Sequence, residues 1–248
     1  MQKVMLITGA SRGIGAATAR LAAAQGYALC LNYRHRGNAM QSLLDELHAT
    51  GAKAIAVAAD VADEAQVAQL FATLDAEFGR LDALVNNAGM LEQQMRLDEM
   101  DAARLTRVFA VNVTGSFLCA REAVKRMSTR YGGQGGVIVN VSSIAAKLGA
   151  PNEYIDYAAA KGAIDSMTLG LAKEVAAEGI RVNAVRPGVI DTEIHASGGE
   201  PDRVERVAAS VPMGRGGSAE EVAEAILWLA SDKASYASGA LLDISGGR

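Results

Sequence analysis

Residues 4–15 read VMLITGASRGIG, and this stretch says more about the architecture of the chain than any other. Its first part, Val4–Thr8, is a short apolar run typical of a buried strand, and the stretch that follows, Ile14–Ala24, has helical periodicity. Glycines at positions 9, 13 and 15 allow a tight turn and let the backbone approach a pyrophosphate at the N-terminus of the helix. The spacing alone also suits a purely structural turn. Because the turn directly follows the first strand, we predict that it binds a dinucleotide.

Apolar, β-branched runs alternate with helical stretches along the rest of the chain. The further runs are Ala28–Tyr33, Ala54–Ala59, Ala83–Asn86, Val137–Ser142, Arg181–Arg186 and Leu241–Ile244. The further helical stretches are Ala39–Ala49, Glu64–Phe78, Ala102–Arg130, Tyr157–Ala177 and Ala219–Ala230. This alternation is typical of a parallel sheet with helices on both faces, whose strands read as continuous apolar runs. Since no linker-like segment interrupts it, we predict one doubly wound, Rossmann-type α/β domain over residues 1–248, with a seven-stranded parallel sheet.

The composition excludes several classes of protein. Half of the 248 residues are apolar and the formal net charge is −4, with no basic stripe that would indicate a nucleic-acid partner. Two cysteines, Cys30 and Cys119, lie in apolar stretches, which favours packed thiols in a reducing compartment, and the three scattered histidines show no metal-ligand spacing. The first residues lack the long apolar run and cleavage site typical of a signal peptide, and no uncharged apolar stretch reaches about 18 residues, so we expect no membrane partner and a cytoplasmic location.

The segment Ile190–Gly217 breaks the pattern with several glycines and two prolines. It is long for a connection between a strand and a helix, and long loops in compact domains are usually lids or binding loops. We therefore predict that about residues 190–217 form a substrate lid that is mobile without ligand.

The end of the second strand indicates which dinucleotide binds. In NAD-binding folds an acidic residue about 20 residues after the glycines holds the 2′-hydroxyl of the ribose. Here the chain reads Leu31-Asn32-Tyr33-Arg34-His35-Arg36, and the nearest carboxylate, Asp45, lies in the following helix. Arg34, together with Ser11 and Arg12 from the glycine turn, suits a 2′-phosphate instead. The run could also be only a solvated loop, but we predict NADP(H) in preference to NAD(H).

Tyr157 is the candidate acid/base, and Lys161 is the cation that would tune its pKa. Four residues apart in a helix, they share one face, so that the ammonium lies one turn from the phenol. A nearby cation lowers the pKa of a tyrosine and makes it usable near neutral pH. This spacing is common by itself, but here Ser142 and Ser143 end the preceding strand, at the rim where parallel sheets bind ligands. We therefore expect a catalytic site at this rim.

The chain resembles the short-chain dehydrogenase/reductase family over essentially its whole length, because it carries a series of motifs in the same order. The matching segments are Thr8–Gly15, Asp60–Val61, Asn86–Gly89, Val111–Asn112, Ser143, Tyr157–Lys161 and Pro187–Gly188. The resemblance implies an oxidoreductase that passes a hydride between a nicotinamide and a carbonyl compound or secondary alcohol.

The resemblance also implies roles for individual residues. Ser143 would polarise the substrate carbonyl, Tyr157 would give or take its proton, and Lys161 would bind the nicotinamide ribose and tune Tyr157. Asn112 would break its helix locally and hold a water linked to Lys161, and Asp60 would hydrogen-bond the adenine. The remaining cofactor-binding candidates are Gly9, Gly13, Ile14, Gly15, Asn32, Tyr33, Val61, Asn87, Ala88 and Gly89, with Pro187, Gly188, Val189, Ile190 and Thr192 around the nicotinamide. The resemblance leaves Ser142 to pack in the sheet and His195 in a structural or a loop role.

The motifs indicate the substrate and the partners less closely than they indicate the reaction. Enzymes like 3-oxoacyl-carrier-protein reductases or like glucose dehydrogenases are both compatible with the motifs. Glu178-Gly179 stands where the former often carry Arg-Gly, which makes docking of an acyl carrier protein less expected. An NAD(P)-binding regulator without turnover is the alternative class, but it would need only the glycine turn. The resemblance, together with long helices that are apolar on more than one face, predicts a homotetramer or at least a dimer.

Overall fold

The computed structural model describes residues 2–35 and 37–248, and its seven strands form one sheet. The order is β3-β2-β1-β4-β5-β6-β7, and every pair of neighbours is parallel. The strands are β1 (Val4–Ile7), β2 (Ala28–Tyr33), β3 (Ala54–Ala58), β4 (Ala83–Asn86), β5 (Gly136–Val141), β6 (Ile180–Pro187) and β7 (Leu241–Ile244). The predicted fold class, a doubly wound seven-stranded parallel sheet, is confirmed.

Helices cover both faces of this sheet. They are α1 (Gly13–Ala24), α2 (Gly37–Ala49), α3 (Glu64–Phe78), α4 (Ala102–Phe109), α5 (Gly115–Met127), α6 (Ala145–Leu148), α7 (Ile155–Val175), α8 (Ile194–Ser197), α9 (Arg203–Ala208) and α10 (Ala219–Ala230). Side chains alternate between the faces of a strand. Met5 and Ile7 therefore belong to the core beneath α1, α2 and α10, whereas Leu6 belongs to the core beneath α3, α5 and α7. Cys30 and Cys119 are free thiols buried in the second core, as expected.

The strand order reverses direction at β1, which lies between β2 and β4. In a doubly wound sheet, the connections on either side of such a point leave to opposite faces and open a crevice at the carboxyl ends of the strands. The glycine turn after β1 and the residue pair after β4 both lie at this crevice.

The predicted continuous helix Ala102–Arg130 is wrong in detail. It is divided into α4, one wide π-type turn at Ala110–Thr114, and α5. The cause is Asn112, whose fully buried amide donates hydrogen bonds to the carbonyls of Val108 (2.9 Å) and Met90 (3.1 Å) and accepts one from the Met90 N–H (3.1 Å). One side chain thus replaces helical bonding and fastens the helix to the segment after β4, as the resemblance implied for this residue.

The segment Ile190–Gly217 is more ordered than a plain loop. It contains α8 and α9, and its two ends pair in a parallel bridge between Ile190 and Gly217. Arg203 and Arg206 both form ion pairs with Glu153 and Glu200, which joins α9 to the turn before α7. Helical periodicity in the sequence did not predict these helices, because each is only four to six residues long.

Most of the apolar residues on the longer helices are buried within the chain itself. Val108, Ile164, Met167 and Val175 are each less than one-tenth exposed. The large apolar side chains left at the surface of α4, α5 and α7 are Phe109, Phe117 and Leu169, which are 39%, 49% and 41% exposed. Among the residues the structure describes, no helix is long and apolar enough to cross a membrane, and no group of three acidic, histidine or cysteine side chains could hold a metal ion.

Candidate active site

Two adjoining cavities form a single cleft along the carboxyl rim of the sheet. The first, about 320 Å³, lies over the ends of β1 to β4 and is lined by Gly9, Ser11, Arg12, Gly13, Asn32, Arg34, Asp60, Val61 and Ala88. The second, about 370 Å³, lies over β5 and β6 and is lined by Ser143, Tyr157, Lys161 and Pro187–Ile190. Ile14, Asn87, Gly89, Thr192 and Ile194 line both. Of the predicted site residues, Gly15, Tyr33 and Asn112 lie behind these walls.

The glycine turn has the backbone geometry expected of a phosphate cradle. Gly9 and Gly13 have φ values of 63° and 52°, which side-chain-bearing residues rarely adopt. A Cβ on Gly9 would lie 2.8 Å from the Cα of Ala88, and one on Gly15 would lie 2.6 Å from the Gly9 carbonyl oxygen. No side chain among the described residues caps α1 at Arg12, so its first N–H groups suit an anion.

Two side-chain amides, buried at Asn32 and partly buried at Asn87, hold this turn on the sheet. Asn32, 1% exposed, accepts a hydrogen bond from the Gly9 N–H (3.3 Å) and donates one to the Ala59 carbonyl (2.9 Å). Asn87 donates to the carbonyls of Thr8 (2.8 Å) and Gly9 (3.0 Å). Asn32 is therefore mainly a support for the turn, and Tyr33 packs against the core beneath α1 and α2.

Arg34 and Arg12 line the first cavity, but each already has partners. The Nε of Arg34 lies 2.9 Å from a carboxylate oxygen of Asp60, so the expectation that no carboxylate lies near Arg34 is wrong. Asp60 follows β3, and the pairing of β3 with β2 brings it to Arg34. Arg12 donates to the Glu193 carbonyl (3.1 Å) and the Ser197 hydroxyl (3.0 Å), which links the glycine turn to α8. Arg36, part of the same predicted basic run, lies outside the described residues.

Ser143, Tyr157 and Lys161 meet in the second cavity. Ser143 follows β5, while Tyr157 and Lys161 lie one turn apart in α7, and the Ser143 side chain hydrogen-bonds that of Tyr157. The Lys161 ammonium lies 5.5 Å from the centre of the Tyr157 ring and donates to the Val141 carbonyl (2.8 Å). Ser142 donates to the Lys161 carbonyl (3.1 Å), so it joins β5 to α7 as its predicted packing role requires.

Burial controls the protonation of this site. It raises the pKa of Tyr157 to about 12, and the hydrogen bond with Ser143 opposes the rise only partly. In the protein by itself, burial therefore outweighs any lowering of this pKa by Lys161, and the lowering expected with the nicotinamide bound stays a prediction. Burial also lowers the pKa of Lys161 to about 8, against the attraction of Asp165 one turn further along α7. Without a cofactor, the phenol is thus protonated at neutral pH and suited to act as an acid.

Gly89 provides the space between the two halves of the cleft. A Cβ at this position would lie 2.9 Å from the side-chain oxygen of Asn112 and 3.6 Å from the Lys161 Nζ. The backbone after β4 therefore passes directly between the buried amide and the ammonium. Asn112 is joined to this segment by its hydrogen bonds with Met90, and its side chain lines neither cavity.

The structure also contains a buried ion pair beneath Tyr157 that was not predicted from the sequence. Arg104 and Asp156 are each 3% exposed, and the Nε of Arg104 lies 2.7 Å from a carboxylate oxygen of Asp156. Arg104 also donates to the Gln93 carbonyl (2.6 Å), and Asp156 accepts from the Tyr157 N–H (2.9 Å). The pair thus ties the first turn of α7 to α4 and to the loop after β4. No local sequence signal joins two residues 52 positions apart.

A polar section of the second cavity was missed as well. It is formed by Glu153 and Tyr154 from the turn before α7, and by His195 and Arg203 from α8 and α9. His195, for which a structural or loop role is expected, is 8% exposed and its side chain lies in the cavity wall. Tyr154 precedes Tyr157 by three residues, so helical spacing was the available signal for it.

Comparison with known proteins extends these observations. A family model described as enoyl-(acyl carrier protein) reductase matches residues 9–248. The chain is 56% identical over 245 residues to the uncharacterized oxidoreductase YgfF of Escherichia coli (strain K12), covering 99% of both chains. It is 44% identical over 246 residues to cis-4-hydroxycyclohexanecarboxylate dehydrogenase of Sinomonas cyclohexanicum, covering 99% of this chain and 96% of that one. The crystal structure of 3-ketoacyl-(acyl-carrier-protein) reductase from Brucella melitensis complexed with NADH is similar with a TM-score of 0.91 at 33% identity, covering 99% and 98% of the two chains.

Proposed function

The chain belongs to the short-chain dehydrogenase/reductase family, and from this premise we propose that it is an NADP(H)-preferring enzyme that interconverts a ketone and a secondary alcohol. The family makes it an oxidoreductase that acts on alcohols and ketones. The observation that carries the finer proposal is the meeting of Ser143, Tyr157 and Lys161 in a cavity that continues into the glycine-lined one.

The cleft fits a nicotinamide dinucleotide. The uncapped N-terminus of α1 and the positive φ values of Gly9 and Gly13 suit a pyrophosphate. The walls on either side offer Asp60 and Val61 to the adenosine end, and Pro187–Ile190 with Thr192 to the nicotinamide end. When bound, the nicotinamide supplies or accepts the hydride.

The chain's own residues handle the substrate oxygen. The Ser143 hydroxyl donates a hydrogen bond to the carbonyl oxygen, which stabilises the negative charge that grows as the carbon receives the hydride. The Tyr157 hydroxyl, which is protonated at neutral pH, then gives its proton to that oxygen and completes the alcohol. Lys161 binds the nicotinamide ribose and, as a cation one turn away, stabilises the phenolate that the proton transfer leaves. In the reverse reaction the phenolate takes the proton back.

The preference for NADP(H) rests on the first cavity. Arg12 and Arg34 line it, and both present guanidinium groups that bind phosphate oxygens well. The pairing of Arg34 with Asp60 does not close it off, since the Arg34 side chain is 55% exposed. A 2′-phosphate would compete with Asp60 for this guanidinium.

The size and walls of the second cavity favour a compact substrate. Its volume is about 370 Å³, and apolar side chains such as Leu91, Ile144 and Leu148 form much of its wall. The 44%-identical relative is named for a secondary alcohol on a cyclohexane ring that also carries a carboxylate. Cyclic ketones and their alcohols are therefore the first substrates to test, with 3-oxoacyl thioesters and sugars beside them.

Two further properties are part of the proposal. The 190–217 segment is a substrate lid, because α8 and α9 carry His195 and Arg203 into the wall of the second cavity.

The protein is a homotetramer or at least a dimer. Phe109, Phe117 and Leu169 on α4, α5 and α7 are exposed, and apolar helix faces that nothing within the chain covers usually pack against a partner subunit.

The proposed mechanism is tested by removing one oxygen atom. Tyr157→Phe should lower kcat by about 10²-fold or more, the scale expected for loss of a general acid, with little change in NADPH affinity. The measurement is steady-state NADPH oxidation over a panel of ketones, with NADPH binding followed separately. Tyr131→Phe, which removes the same atom from a residue 61% exposed at the surface, is the control.

The outcomes separate the two classes of function. Near-wild-type turnover by Tyr157→Phe contradicts the assigned proton donor. Tight NADPH binding without turnover of any carbonyl compound or alcohol in the panel would favour an NAD(P)-binding regulator.

A further inference from the structure

Two buried polar side chains in the wall of the second cavity have no part in the proposed reaction. Tyr154 and His195 are 3% and 8% exposed, and both line the cavity that contains Ser143 and Tyr157. Within residues 2–35 and 37–248, nothing hydrogen-bonds the Tyr154 hydroxyl or the His195 Nδ1. Because buried polar atoms in proteins nearly always have a hydrogen-bond partner, these two atoms mark a place for the polar group of a ligand.

The hydrogen bond on the other side of the His195 ring defines what its Nδ1 can do. The Nε2 lies 2.9 Å from the Ile190 carbonyl oxygen, which can only accept, so Nε2 carries the proton. Burial lowers the pKa of His195, so the ring is neutral near pH 7 and Nδ1 has a free lone pair. His195 therefore offers an acceptor and Tyr154 offers a hydroxyl donor. A hydroxyl group, which donates and accepts, complements such a pair.

The charges around this pair favour a neutral ligand. Arg203 lies 5.1 Å above the Tyr154 ring, but its guanidinium nitrogens lie 2.6 Å from a Glu153 oxygen and 3.0 Å from a Glu200 oxygen. Arg206 pairs with the same two carboxylates. Two cations thus face two anions, and the cluster has no surplus positive charge for a carboxylate. The lone pair of His195 Nδ1 would repel a carboxylate as well.

The turn before α7 holds Tyr154 in this position. Ala150 and Asn152 adopt φ values of 45° and 60°, which are unusual for residues with side chains. The Ala150 carbonyl accepts from the Tyr154 N–H (3.0 Å), and the Glu153 carbonyl accepts from the Met95 N–H (3.1 Å). Backbone bonds on both sides therefore fix the wall before any substrate binds, and strained turns of this kind are concentrated at functional sites.

We propose that Tyr154 and His195 form a subsite for a hydroxyl group of an uncharged substrate, separate from the oxygen that reacts. The enzyme then prefers compact ketones that carry an additional hydroxyl over unsubstituted ketones and over ketones that carry a carboxylate. This inference rests on the proposed ketone reductase function.

Three ketones of one shape test the subsite. We expect kcat/KM with NADPH to be at least tenfold higher for 4-hydroxycyclohexanone than for cyclohexanone or 4-oxocyclohexanecarboxylate. Tyr154→Phe, which keeps the ring beneath Arg203 and removes only the hydroxyl, should reduce the ratio between the hydroxylated and the unsubstituted ketone to threefold or less. His195→Leu should move the ratio in the same direction. Tyr236→Phe, at a fully exposed position, is the matched control and should leave the ratio as it is.

Each outcome bears on one of the two proposals. Turnover of cyclohexanone at an equal or higher kcat/KM, a preference for the carboxylate, or an unchanged ratio in Tyr154→Phe overturns the subsite and leaves the reductase function intact. Failure to turn over any carbonyl compound or alcohol with either nicotinamide cofactor overturns the proposed function itself.

Discussion

The two halves of the cleft are held in shape by different interactions. In the cofactor half, the backbone conformations of Gly9 and Gly13 and the side-chain amides of Asn32 and Asn87 form the cradle. The charged groups there are accessible, and Arg34 and Asp60 are 55% and 21% exposed. In the catalytic half, Lys161 is 4% exposed, and the Arg104–Asp156 pair lies buried beneath Tyr157.

This difference follows from what each half has to do. A phosphate is a hydrated anion, so exposed guanidinium groups on a rigid backbone cradle are sufficient to bind it. Proton transfer needs a shielded site, where charges interact strongly and are also costly to leave unpaired. An exposed ion pair contributes about 0–1 kcal/mol to stability, whereas breaking a buried pair costs about 3–5 kcal/mol. Charge substitutions should therefore affect stability in the catalytic half and ligand selection in the cofactor half.

The largest effect is expected at Arg104. Arg104→Met leaves the Asp156 carboxylate buried without its partner, and the free energy of unfolding should fall by about 3–5 kcal/mol. Urea denaturation of wild type and variant measures the change. Arg96→Met is the control, because Arg96 pairs with Asp98 at the surface with both side chains 69% exposed.

A second variant shows whether the unpaired charge is the cause. Asp156→Leu combined with Arg104→Met removes both charges and should recover much of the lost stability. Exposed ion pairs contribute up to about 1 kcal/mol. If Arg104→Met lowers the unfolding free energy by less than this, the proposed difference in stability effects between the two halves of the cleft is wrong.

An intermediate effect is expected for Lys161 as the pH changes. Burial lowers its pKa from 10.5 to about 8, so between these values the unfolded chain binds a proton that the folded chain does not. Stability from this group therefore rises with pH, by about 1.4 kcal/mol per unit within the window. From about pH 7.5 to 9.5, the unfolding free energy of wild type should gain about 2 kcal/mol relative to Lys161→Met.

Denaturation curves at several pH values provide the comparison. Lys173→Met, at an exposed position of the same helix, should run parallel to wild type over this range. A constant difference between wild type and Lys161→Met would mean that Lys161 titrates like an exposed lysine.

The smallest effect, and the one that sharpens the contrast most, is expected at Arg34. Wild type should use NADPH at least tenfold better than NADH in kcat/KM, equivalent to about 1.4 kcal/mol, and Arg34→Asp should narrow or reverse this preference. Because the Arg34 side chain is 55% exposed, the unfolding free energy should change by less than about 1 kcal/mol. Steady-state kinetics with NADPH and NADH give the cofactor preference, and a denaturation curve of each protein gives the unfolding free energy. Arg130→Asp at the surface is the charge control, and equal use of the two cofactors by wild type would remove the basis for the preference.

By itself, the sequence determined the features that depend on short-range geometry. The alternation of apolar runs and helical periods predicted the seven parallel strands, and the glycines after the first strand predicted the tight turn where Gly9 and Gly13 adopt positive φ. The four-residue spacing of Tyr157 and Lys161 predicted that both lie on one face of α7. Such features depend on a few neighbouring residues, because backbone conformation and helical spacing are local.

Only the tertiary structure decided which groups from distant parts of the chain meet and how water is excluded from them. Strand pairing brings Asp60 to Arg34, and helix packing buries Arg104 against Asp156, 52 residues away. The α8 helix carries His195 into the cavity wall, and burial raises the pKa of Tyr157 although Lys161 lies one turn away. Desolvation depends on every atom packed around a group, whatever its position in the chain, so no pattern of neighbouring residues encodes it.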